Sequence, residues 1–192
     1  MGRRCRYVLG TAVVVVVLAA AGCGGGGGGE AASPPTSVGP SPTSEPTSPS
    51  TAPTEEAAVL AAYQGYWDTW LAANDPPNPD HPDLERYYIG RSLERARQEI
   101  FDRRAVGQAI RLPASAEYRH RADVTIDGVD AATVTDCSVD DSQVVDVASG
   151  RVLNDAVVSE LITASLVRVN DEWRVQLTSR TAAWEGVAGC AA

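Results

Sequence analysis

The chain has no lysine, and all 16 of its basic residues are arginine. Histidine is nearly absent as well. His81 and His120 are the only two, and neither the His-x-x-x-His spacing of a zinc site nor the loop of an EF-hand occurs. There is no CxxC, no GxSxG elbow, no phosphate loop and no cysteine–histidine pairing, so the common motifs for thiol-redox, nucleophilic and nucleotide chemistry are missing. The run Gly24–Gly29 is no phosphate cradle, because no strand precedes it and no helix follows. Positive charge is in deficit. The formal net charge is −9, and such a surface repels phosphate backbones and anionic headgroups, which argues against nucleic acid as a partner.

What the chain does have begins at its N-terminus. Arg3, Arg4 and Arg6 precede an uncharged run from Tyr7 to Ala21, and small residues follow up to Cys23. A basic start, a short apolar core and a small-residue cut site make a secretory signal over residues 1–22. The apolar run is shorter than the roughly 20 residues a transmembrane helix needs. The ending Leu18-Ala19-Ala20-Ala21-Gly22-Cys23 resembles the lipobox of bacterial lipoproteins. That resemblance implies lipidation of Cys23 and an anchored protein on the outer, extracytoplasmic face of the cell membrane. Membrane contact is then expected through the lipid alone, two acyl chains being enough for stable anchoring.

Residues 23–53 carry the lipidated Cys, a glycine run and a Pro/Ser/Thr tract with almost nothing apolar to bury, the composition of a disordered tether. A flexible coil of that length reaches on the order of 30 Å. Residues 54–192 are the expected domain. Once Cys5 leaves with the signal and Cys23 takes lipid, Cys137 and Cys190 remain, facing an oxidising exterior, and they are expected to pair. Closing a loop of that size stabilises a fold by roughly 4 kcal/mol in the chain-entropy model.

Thr54 is placed to cap a helix whose first turn holds Glu55 and Glu56. Val59, Tyr63, Trp67, Trp70 and Leu71 recur at helical spacing up to Asn74, where a Pro-rich segment breaks the pattern. A short helix over 83–89 and another over 91–105 are expected, the latter burying Leu93, Ala96, Ile100 and Phe101. After Gly107 the period becomes two. Tyr118, His120, Ala122, Val124 and Ile126 form one face of a strand. Asp127-Gly128 signals a two-residue hairpin. That turn pairs Ile126 with Val129, His120 with Thr135 and Tyr118 with Cys137, and it sets Asp136 opposite Arg119 on the solvent face. Further strands over 143–147, 151–153, 157–169 and 173–180 complete an α+β domain with helices on one face of a curled antiparallel sheet.

Four segments, Tyr63-Gln64-Gly65-Tyr66-Trp67-Asp68, Asp80-His81-Pro82-Asp83-Leu84, Tyr87-Tyr88-Ile89-Gly90 and Val147-Ala148-Ser149-Gly150, together with the C-terminal Val-Asn-Asp-Glu-Trp-Arg-Val, resemble secreted actinobacterial members of the nuclear transport factor 2-like superfamily. The resemblance implies a cone, a bent antiparallel sheet packed on N-terminal helices. It also implies where chemistry would sit, since enzymes of the superfamily place a base and a donor inside the cone. The positions nearest to those roles are Asp68, Tyr87 or Tyr88, and His120. Asp68 reads equally as an exposed flank residue, and His120 as a hydrogen-bonded structural histidine. The acidic sets Asp80, His81, Asp83 and Asp136, Asp140, Asp141, Asp146 read as solvated loops, and no metal or other cofactor is called for. The aromatic stripe of the first helix is expected to fill much of the cone and leave His120 at its rim. The expectation is a non-catalytic binding or scaffolding module, with an envelope protein or a small apolar ligand as partner. The alternatives are a small isomerase- or cyclase-like enzyme and an accessory subunit of an envelope complex.

Overall fold

The computed structural model describes residues 54–190. The signal sequence, Cys23 and the tether lie outside the described residues. Helix α1 spans Glu55–Asn74 and is capped by the Thr54 hydroxyl, which accepts from the Ala57 amide at 3.2 Å. A one-turn helix α2 covers Leu84–Tyr87, and α3 runs Arg91–Ala105. Seven strands follow: β1 Gln108–Arg111, β2 Arg119–Ile126, β3 Ala131–Asp140, β4 Gln143–Asp146, β5 Val152–Asn154, β6 Val158–Val169 and β7 Glu172–Glu185. The larger antiparallel sheet has the order β2-β3-β6-β7 and the smaller β1-β4-β5. This is an α+β domain, helices first and antiparallel strands after.

One face of the large sheet carries Ala132, Val134, Ala164, Leu166 and Val175, which pack on Val59, Tyr63 and Tyr66 of α1 and on Leu84, Tyr88 and Ile100. Glu55 ties the start of α1 to the β6–β7 hairpin, accepting from Arg168 at 3.2 Å and from the Trp173 indole at 3.1 Å. Tyr88 and Ile89 pair with Val175, which covers part of the free edge of β7. On α3 the inward stripe is Ser92, Ala96 and Ile100. Phe101, expected inside, is 49% exposed, because it lies off that stripe and stacks under Arg104.

The β2–β3 pairing departs from expectation. The connection is the four-residue loop Asp127–Asp130, closed by the Asp127 amide on the Ala131 carbonyl at 2.9 Å and by Thr133 Oγ1 donating to Asp127 at 2.7 Å. Ile126 therefore faces Ala132 instead of Val129, and His120 faces Ser138 instead of Thr135. An odd shift exchanges the faces of a strand. Ala132, Val134, Asp136 and Ser138 point inward, while Thr133, Thr135 and Cys137 point outward. The exchange buries Val134 and Asp136. It also presents Cys137 to Cys190, and the two form the expected disulfide. β1, a short strand that pairs with β4, was not foreseen, since Gln-Ala-Ile-Arg does not alternate.

Gly65 is required where the Tyr87 ring lies against α1, because a Cβ there would collide with it. Ala for Gly inside a helix ordinarily stabilises by up to about 1 kcal/mol. Overpacking costs about 1–3 kcal/mol and opposes it. Gly65→Ala is expected to lower stability by about 1–2 kcal/mol in urea unfolding. An increase would show that the Tyr87 contact imposes no constraint.

Candidate functional site

Asp136 enters the interior on β3 with its side chain fully buried. Its Oδ2 accepts from the Tyr63 hydroxyl at 2.9 Å and from His120 Nδ1 at 2.6 Å. The register explains the meeting, since Ala122 is the β2 partner of Asp136 and His120 is its inward neighbour two residues back. Aromatic rings enclose the imidazole. Trp67 stacks on it at 5.0 Å, and Tyr118 and Tyr63 meet it edge-on at 5.1 and 6.0 Å. His120 Nε2, Tyr118 Oη and Asp136 Oδ1 are buried and bonded to no group among the described residues. His120 is thus not at a rim, its side chain being only 10% exposed.

The other sequence candidates turn elsewhere. Asp68 is exposed and accepts from Gln64 at 2.9 Å. Tyr88 is buried and donates to the Tyr66 carbonyl at 2.7 Å. Tyr87 packs on Gly65. Asp68, Tyr88 and His120 therefore do not form one catalytic set. Of the acidic sets, Asp80, His81 and Asp83 stay in one loop, where His81 Nδ1 accepts from the Asp83 amide at 3.3 Å, while the other is dispersed. Asp140 accepts from the Ser142 amide, Asp141 from the Glu117 amide and Asp146 from Ser149, while Asp136 is inside. Among the described residues no three His, Cys, Asp or Glu converge as metal ligands.

The aromatic stripe does not fill the interior. Beyond Tyr66 a groove of about 490 Å³ stays open between α1 and α3 on one side and the distal inner face of the sheet on the other. Trp67 and Trp70 come from α1, and Arg91, Ser92, Arg95 and Glu99 from α3. The sheet supplies Asp140, Glu160, Ile162, Thr178 and Arg180. Two ion pairs brace the walls, Arg95–Glu99 at 2.7 Å and Arg180–Glu160 at 2.7 Å. Both are solvent-exposed and add little stability. At the floor Thr178 and Ser92 lie beside Tyr66. A second, shallower hollow of about 410 Å³ on the α1–β2 seam is lined by Leu60, Gln64 and His120. Sequence reasoning missed the groove because its lining is drawn from two helices and three strands far apart in sequence.

Burial raises four phenols above their ordinary value. Tyr63 is raised by desolvation and then by the Asp136 carboxylate, Tyr118 by desolvation and then by Asp140 and Asp68, and Tyr66 and Tyr88 by desolvation first. Unfolded tyrosines release protons from about pH 10. Above that the unfolded chain binds fewer protons than the folded one, so stability falls as pH rises, while below it these groups contribute no pH dependence. Phenolate absorbance from these four is expected to appear together with the loss of circular dichroism in an alkaline titration. Separate ionisation in the folded protein would contradict the packing described.

No family model matches the chain, and no curated protein matches it. Among solved structures it is similar to the intermembrane space region of the chloroplast protein ARC6, with a TM-score of 0.51 and 12% identity over 68% of this chain and 99% of that one. At that identity the likeness is one of fold alone.

Proposed function

We propose that the chain is a lipid-anchored extracytoplasmic lipoprotein whose domain, a nuclear transport factor 2-like cone, is a non-catalytic binding module of the cell envelope. One observation carries the binding role. The groove is open and lined by tryptophans, while of its wall carboxylates Glu99 and Glu160 are engaged by arginines and Asp140 accepts from the Ser142 amide, an arrangement poorly suited to moving protons. Its mixed lining favours an amphipathic occupant over a wholly apolar one. The anchoring half of the proposal rests on Cys23 and the signal before it. Cys23→Ala is expected to release the protein from membranes or to block its processing. Membrane fractionation at the same processed mass as the parent would defeat that half.

One observation favours the isomerase- or cyclase-like alternative. With Nδ1 held by Asp136, His120 keeps an unpartnered Nε2, the arrangement of a general base, beside the hollow it lines. Access separates the two readings. Under the binding reading, diethyl pyrocarbonate modifies the partly exposed His81 readily and His120 only after unfolding, as peptide mass analysis would record. Rapid modification of His120 in the folded protein would promote the enzyme.

A further inference from the structure

Resting on the binding reading above, we infer that the groove takes a neutral oligosaccharide. The first ground is charge. The three arginines Arg91, Arg95 and Arg180 equal in number the three carboxylates Glu99, Asp140 and Glu160, so the lining has no net formal charge to draw in an anion or a cation. The second is the form of the polar groups. On the helix wall Arg95 and Glu99, and on the sheet wall Arg180 and Glu160, stand 2.7 Å apart, each pair presenting guanidinium donors beside a carboxylate acceptor. Vicinal hydroxyls, each both donor and acceptor, use that alternation fully. A phosphate or carboxylate ligand would meet the three carboxylates Glu99, Asp140 and Glu160 in the same lining. An alkyl chain would desolvate both partners and return no hydrogen bond.

The third ground is shape. Trp67, with one face on His120, and Trp70, with Arg103 over its ring, line the groove and leave apolar indole surface for the C–H faces of sugar rings, and the Tyr66, Ser92 and Thr178 hydroxyls lie at the floor between the walls. A groove of about 490 Å³ has room for about two such rings and is open to solvent, so a longer glycan can leave it.

The test uses the full-length protein in nanodiscs, with empty nanodiscs subtracted, and reads saturation-transfer NMR from cellotriose and from triacetylchitotriose, with indole-3-acetate as a charged aromatic comparison. Saturable transfer to at least one trisaccharide is expected, weakened about tenfold by Trp70→Ala and also by Arg180→Gln. Arg180 is exposed, so that variant keeps the test informative if Trp70→Ala fails to fold. Trisaccharide binding that neither substitution weakens overturns the assignment. Silent trisaccharides with indole-3-acetate transfer that Trp70→Ala abolishes overturn it too, and leave the binding reading standing. Silence from all three probes overturns both.

Discussion

The register of β3 between β2 and β6 is the constraint on which the domain depends. Had the Asp127-Gly128 turn closed with two residues, Thr133, Thr135 and Cys137 would face α1 and Val134 would face water. The four-residue loop reverses every one of those placements. It presents Ala132 and Val134 to the helices and Cys137 to Cys190. It also forces Asp136 inside, where a carboxylate without partners would be costly. Tyr63 and His120 are the response. They reach Asp136 from α1 and from the neighbouring strand, so the polar contact fixes the helix against the same two strands whose register created the need for it.

Two kinds of polar interaction divide the work. The Tyr63–Asp136–His120 contacts are buried, and removing one partner leaves others unsatisfied, which makes them expensive to disturb. The Arg95–Glu99 and Arg180–Glu160 pairs are exposed and nearly neutral for stability. Their value is geometric, since each side chain limits where its partner can go. A surface that contributes little to folding and yet holds its donors and acceptors in place is free to be used for recognition.

Much of the fold was legible because it is local. The Thr54 cap, the aromatic spacing through Asn74, the limits of α3 and the Asn170-Asp171 turn, where both residues adopt positive φ, are written in adjacent residues. The loop after Ile126 was misread because Asp-Gly satisfies a tight turn locally, whereas burying Val134 and meeting Cys190 are distant demands. β7 runs to Glu185, beyond the expected end at Arg180, because its pairing with the start of β6 is also a tertiary matter. The sequence marks His120 as a candidate, but a two-residue turn would put its partner Asp136 on the solvent face, so their meeting is visible only in the observed register. The groove, drawn from two helices and three strands, had no signature in any one segment.

Followed along the inner face, the strands change character at Asp136. β3 reads Ala132, Val134, Asp136, Ser138 and Asp140, while β6, paired with it, reads Leu166, Ala164, Ile162, Glu160 and Val158. One half of each strand is apolar and lies under α1. The other half of β3 places Ser138 and Asp140 at inward positions where a packed core would hold Val or Leu, and β6 adds Glu160 between Ile162 and Val158. Polar residues on a core-facing register weaken a fold unless the face is meant to stay open. Here the register puts them opposite α3, where the groove lies and where Arg91 and Arg95 complete the lining. Asp136 stands at the border, too deep for water and too polar for the core. That explains why the border residue alone needs both a tyrosine and a histidine, while Glu160, one step further out, is met by a single arginine.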